Sequence, residues 1–211
     1  VYGSRIADAA PFDGVIAVLR RFRQYGYRVT VVSHKTRYSN WDPSIALREA
    51  ATQWLSRHQL FDQGSAYSLV DDVFFEANLS DKLARIRQLG CNIFVDDKLS
   101  VLTDRQFPCE TVPAYFAPHE AVPPPASPIV LHTWEAIGKW VELINEIGPS
   151  IARELEKAMG AQMLEYESIR SARNNRVGRV KLTDGTTVVA KRYCRAQAAG
   201  RDTATAEQQA L

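Results

Sequence analysis

No run of apolar residues in this chain approaches the roughly 18 positions that a membrane-spanning helix needs, and the opening residues Val1 to Asp8 hold no signal-peptide core. Cysteine is scarce as well. Cys91, Cys109 and Cys194 are an odd number without zinc-type spacing, which argues against a disulfide framework or a structural metal cluster and for a reducing cytoplasm. An excess of one charge is also missing: 26 Lys and Arg stand against 24 Asp and Glu, a formal net charge of +2. That balance calls for neither nucleic acid nor a membrane as partner. What remains is a 211-residue chain, 45% hydrophobic, long enough to bury a substantial core. It starts with Val and ends at Ala210-Leu211 inside an amphipathic pattern without a stop signal, so both ends read as truncated.

From Pro11 the apolar positions Val15, Ile16, Val18, Leu19 and Phe22 predict a helix closed by Gly26, with a buried strand over 27–32. The turn residues Asn40-Trp41-Asp42-Pro43 precede a second helix with Ala46, Ala50, Trp54 and Leu55 on one face. Val73-Phe74-Phe75 reads as a short strand. Ser80 is placed to cap a helix through Leu83, Ile86 and Leu89, ended by Gly90, and a strand over 92–95 follows. Such alternation predicts an α/β fold, a parallel sheet wrapped by helices, whose ligands bind beyond the carboxyl ends of the strands.

The pattern breaks near Pro118. Residues 121–128, Ala-Val-Pro-Pro-Pro-Ala-Ser-Pro, read as a stiff linker, which sets a first domain at 1–120 and a linker with a helix (Trp134 to Ile147) at 121–148. A short helix from Ile151 to Met159 follows, ended by Gly160. Residues 180–182 and 186–193 around Thr183-Asp184-Gly185 then predict an antiparallel hairpin, so 149–211 is a different, α+β segment.

The stretch Ile93-Phe94-Val95 delivers two adjacent carboxylates, Asp96 and Asp97, to a strand end. Two such groups need a cation, a basic side chain or bulk water against them, so a magnesium site and a solvated, helix-capping pair are both open. Ser33, placed directly after the strand 27–32, brings a hydroxyl to the same edge. Lys82, at the start of the preceding helix, can reach back over that edge toward an anion. A hydroxyl, a cation and metal-type carboxylates are what phosphoryl transfer needs around its equatorial oxygens. His34 and Lys35 flank Ser33 as loop residues that could touch a substrate. Cys91, before a buried strand, reads as packing rather than as a nucleophile.

Val-Ser-His-Lys-Thr at 32–36, Asp-Lys at 81–82 and Phe-Val-Asp-Asp at 94–97 resemble motifs II, III and IV of the haloacid dehalogenase superfamily, over about residues 1–118. The resemblance implies a Rossmann-like parallel sheet. It implies that Ser33 hydrogen-bonds a transferring phosphoryl group, that Lys82 neutralises it, and that Asp96, with Asp97 beside it, holds Mg²⁺. The superfamily's first motif, an Asp-x-Asp nucleophile and acid/base, occurs nowhere in the chain. Val-Tyr-Gly-Ser-Arg-Ile with Ser-His-Lys-Thr-Arg looks like a subgroup in which a long insertion follows that motif, which places the motif upstream.

Residues 173–180 and the hairpin through Val189-Ala190-Lys191-Arg192-Tyr193 resemble the start of the aminoglycoside phosphotransferase-like kinase N-lobe. The resemblance implies ATP as cofactor, with Lys191 on a central strand pairing with nucleotide phosphates and Glu207, on a helix over 204–211, as its ion-pair partner. Ser171-Ala172 stand where glycines would let the backbone approach phosphates, which leaves Asn174, Asn175 and Arg176 to contact the nucleotide. Two functions follow as expectations. One is a piece of a cytoplasmic bifunctional enzyme acting on a phosphorylated small molecule, a Mg²⁺-dependent phosphohydrolase joined to a small-molecule kinase. The other is a non-catalytic phosphate-binding or regulatory module attached to a kinase.

Overall fold

The computed structural model describes residues 4–39, 41–119, 128–172 and 175–193. By its internal contacts the chain divides between Gly138 and Lys139 into two compact units. No helix among the described residues is long and apolar enough to cross a membrane.

In the first unit, a short 3-10 turn (Ser4–Asp8) and helix α1 (Val15–Gln24) lead into strand β1 (Thr30–His34). Val15, Val18, Leu19 and Phe22 form the buried stripe of α1, spaced to fall on one helical face. The strand starts later than its composition predicts. Tyr27 packs edge-on against Phe22, and Val29 donates its N–H to Asp71 Oδ2 at 2.7 Å while its carbonyl accepts the Asp71 N–H at 2.8 Å, so ring packing and a side-chain acceptor precede the regular ladder. Helix α2 (Leu47–Arg57) buries Leu47 and Ala51. That stripe is one position on from the predicted Ala46 and Ala50, with Trp54 anchored by its Nε1–H to Ala9 O at 2.7 Å.

Strand β2 (Asp72–Glu76) runs parallel to β1, with Ser33 opposite Phe75 and His34 opposite Glu76. Helix α3 (Leu79–Leu89) follows. Its N-cap is Asn78, two residues before the predicted Ser80: Asn78 Oδ1 accepts the Asp81 N–H at 2.8 Å while Asn78 Nδ2 donates to Asp81 Oδ2 at 2.8 Å. This reciprocal pair satisfies an orphan helix N–H that Ser80, already inside the first turn, could not reach. Gly90 closes the helix at φ 61°, the left-handed region.

Strand β3 (Ile93–Asp96), helix α4 (Leu99–Leu102) and strand β4 (Val112–Phe116) complete the predicted alternation, and strand β5 (Ile129–Leu131) adds to it beyond the proline segment. The order β3-β4-β5 is parallel throughout. The unit is mixed α/β as expected, but its parallel strands form two ladders, β1-β2 and β3-β4-β5, with no pairing between them among the described residues. One core serves both. Val32 of β1, Leu83 and Ile86 of α3, Phe94 of β3 and Tyr115 of β4 lie in a single buried cluster, with Phe74 and Val130 against it.

Helix α5 (Trp134–Ile147) runs across the division between the units. In the second unit, helix α6 (Pro149–Met159), begun by proline and ended by Gly160 at φ 66°, precedes an antiparallel sheet of β6 (Met163–Ala172), β7 (Asn175–Leu182) and β8 (Thr187–Tyr193) in that order. The hairpin forms where predicted. Gly185 takes φ 85° at its tip, and Asp184 Oδ1 accepts the Thr186 N–H at 2.8 Å. Gly178 lies beneath the Tyr166 ring, in space that a Cβ would take. Met163, Val180 and Leu182 are wholly buried.

Glu156 of α6 is tied to this sheet, accepting the Met163 N–H on Oε1 at 3.1 Å. Burial raises its pKa above 4.5, and the hydrogen bond only partly offsets this. A carboxyl whose folded-state pKa is raised destabilises the fold once ionised, and the cost disappears as pH falls. Glu156→Gln keeps the acceptor without the charge. We expect it to raise the melting temperature at pH 7, with the gain fading to nothing below about pH 4.5; a gain independent of pH would remove this explanation.

Candidate functional site

The loop ends of both ladders meet at one edge, and a single interaction shows it. Lys82, in the first turn of α3 and so just beyond the carboxyl end of β2, donates through Nζ to Asp96 Oδ2 at the carboxyl end of β3. The two residues are 5% and 8% exposed. Because β1 runs parallel to β2, its own carboxyl end, with Ser33 and His34, comes to that edge too.

Asp96 is the last residue of β3, on the face of the buried Phe94 because strand side chains alternate. Its other oxygen, Oδ1, accepts the Lys98 N–H at 2.8 Å. Both oxygens are thus engaged, one by a charge and one by the backbone turn that starts α4. Lys82 Nζ lies 5.4 Å from the centroid of the Phe94 ring, a favourable arrangement for an ammonium in an apolar wall. A buried pair of this kind is tolerated when each charge has its partner and its remaining hydrogen bonds.

Ser33 does not follow the strand, as its sequence suggests, but sits within it as the penultimate residue of β1. It is half-buried, and its Oγ has no hydrogen-bond partner among the described residues. Asp97 is exposed and bonds neither Lys82 nor Lys98. The structure therefore joins Lys82 to Asp96 directly and brings Ser33 and Asp97 to the same edge unbonded to that pair. His34 donates from Nε2 to Ala77 O at 2.9 Å, the tautomer a carbonyl acceptor requires. Burial raises the Cys91 thiol above its usual 9.0, in keeping with a packing role.

No protein-family model, no curated protein and no solved structure matches this chain. The chemistry rests on the residues themselves. Among the described residues no three His, Cys, Asp or Glu side chains gather into a metal-sized group. Asp96 and Asp97 nevertheless fit the donor type that Mg²⁺ takes, one or two carboxylates with water and phosphate oxygens completing the shell. Lys82 is the present counter-charge of Asp96.

In the second unit the structure places Lys191 opposite Val177 on β8, which is an edge of the described sheet and not the central strand that the sequence predicts. The central strand is β7. Asn175 and Arg176 are its first residues, paired with Ala172 and Ser171 on one side and with Tyr193 and Arg192 on the other. Their backbone belongs to the ladder and not to a loop. Asn174 and Glu207 lie outside the described residues.

Lys98 and Arg48 carry no sequence signal that ties them to this edge. Lys98 directly follows the acidic pair, but nothing in a single sequence says that its N–H caps Asp96. Arg48 donates from Nε to Lys35 O at 3.0 Å, a contact between residues that no periodicity links. The ion pair itself yields a test. Lys82→Met and Asp96→Asn should each cost about 3–5 kcal/mol in urea unfolding, because each strands a buried polar partner. The double variant should lose less than the sum. Additive losses would show that the two side chains do not stabilise one another.

Proposed function

We propose that the first unit is the phosphate-handling part of a haloacid dehalogenase-like phosphohydrolase acting on a phosphorylated small molecule in the cytoplasm. The observation that supports this best is the buried Lys82–Asp96 pair at the carboxyl edge of parallel strands. It stores an ammonium and a carboxylate side by side where α/β sheets bind ligands. In this reading a phosphoryl group draws the Lys82 ammonium, the Ser33 hydroxyl donates to a non-bridging oxygen, and Asp96 and Asp97 hold Mg²⁺. When bound, the metal would withdraw charge from the phosphoryl oxygens. Covalent turnover also requires an aspartate nucleophile. The 211 residues contain no Asp-x-Asp, so turnover in this reading requires that group from outside them.

The second unit, in the same reading, begins a kinase-like lobe that takes ATP, with Lys191, Asn174, Asn175 and Arg176 toward the nucleotide and Glu207 as the lysine's partner. The antiparallel β6-β7-β8 order supports it. A second reading of the first unit, a non-catalytic phosphate-binding module, is favoured by one specific observation: Asp96 is already neutralised by Lys82, so the site is electrostatically complete without a metal.

Hydrolysis of p-nitrophenyl phosphate by the full-length protein separates the two. We expect Mg²⁺-dependent turnover that falls at least a hundredfold in Asp96→Asn, in line with loss of a principal electrostatic group. Turnover absent in the parent would leave the binding module, and turnover unchanged in the variant would remove the role of Asp96. For the second unit, ATP binding by the full-length protein should weaken about tenfold or more in Lys191→Ala; equal affinity would remove the nucleotide role.

A further inference from the structure

Phe12 is 52% exposed, although an aromatic ring has much to gain from burial. Single apolar side chains on a surface are ordinary, so the position of this one decides its meaning. The ring packs edge-on against Phe116, with centroids 5.1 Å apart and planes at 87°. Phe116 is the last residue of β4 and directly follows Tyr115, the register partner of Asp96. Neighbouring strands lie about 4.8 Å apart. Phe12 therefore stands one strand along the carboxyl edge from Asp96 and Asp97.

The chain on either side holds the ring there. Three residues before it, Ala9 O accepts the Trp54 Nε1–H at 2.7 Å. The carbonyl of Phe12 itself accepts the Val15 N–H at 3.2 Å, and Gly14 completes this turn into α1 at φ 82°. Phe116 is buried and packs on Trp134 as well, with ring centroids 6.1 Å apart. Phe12 thus rests on a fixed aromatic support while about half of it faces solvent.

Tyr115 shares the buried cluster of Phe94 and α3, and Phe116 alternates with it onto the other face of the ladder. Lys82 and Asp96 reach the edge from the α3 side, and Phe12 reaches it from the opposite side. A ligand that touches both must cross the edge, with an anion at one end and an apolar group at the other.

We propose that Phe12 is a specificity-determining residue that seats the organic group of the phosphoester, and that this group is an aryl or similarly flat apolar ring. It rests on the phosphate-site reading of Ser33 and Lys82 and names the substrate class for that same site. A ring held in place before binding offers contact area with little entropy left to lose, and it favours a flat partner over an alkyl one of equal charge.

The test is metal-free calorimetric titration of the 211-residue chain with phenyl phosphate and with methyl phosphate, esters of like charge that differ in the ring. We expect phenyl phosphate to bind about tenfold more tightly. Phe12→Ala and Phe12→Gln should each bring the two esters within about twofold of one another while leaving methyl phosphate as it binds the parent, and Phe12→Trp should keep the preference for the ring. Ser33→Ala, at a half-buried hydroxyl without a hydrogen-bond partner among the described residues, should weaken both esters about tenfold. Equal affinities in the parent, or a ring preference that survives both Phe12→Ala and Phe12→Gln, overturn the seat and leave the phosphate reading. No binding of either ester overturns both. If the preference disappears in the Phe12 variants but Ser33→Ala binds methyl phosphate normally, the seat stands and the phosphate role of Ser33 fails. Circular dichroism confirms the folding of each variant, and the comparison of the two esters on the parent decides against the seat without any variant.

Discussion

The ion pair between Lys82 and Asp96 is the constraint on which the first unit turns. It bonds the start of the helix leaving one ladder to the end of a strand in the other. Elsewhere the two ladders share apolar contacts, which are adaptable and without direction. The ion pair is directional. Desolvating two charges is expensive, and here the expense is offset by mutual attraction, by the Lys98 N–H and by the aromatic wall of Phe94. A weaker geometry at that point would leave a buried charge exposed to its own desolvation cost.

Around that point the architecture follows simple packing logic. Helix α3 lies against β1 and β2, and its buried Leu83 and Ile86 enter the same cluster as Phe94 and Tyr115. Each ladder alone is short, and a two-stranded ladder has little independent stability. The helix between them supplies the common core. The absence of hydrogen bonds between β1 and β3 in the described residues leaves side-chain packing, the buried ion pair and the Arg87 Nη2 bond to Gln106 O at 2.7 Å to hold the halves in register.

Much of this was legible in the residues because it follows local rules. Helical spacing marked α1, Gly90 and Gly160 marked two helix ends, and Asp184-Gly185 marked the hairpin tip. Other features depend on partners far along the chain. Strand β5 has three residues behind a proline-rich segment and becomes a strand only because β4 offers it an edge. Ser33 looks like a loop residue until β2 pairs with it. Lys191 looks like a central-strand residue until the order of the sheet is known. For the site, the residue types of Lys82 and Asp96 could be read, and their 14-residue separation placed them at one edge. That they bond each other, and that Lys98 turns its N–H into the pair, required the fold.

The outer strand of the second unit has a meaning beyond nucleotides. As an edge of the described sheet, β8 carries unpaired backbone groups along a segment rich in β-branched residues, Thr187-Val188-Val189, with Val189 exposed. Such an edge is a template on which a second chain can add a strand.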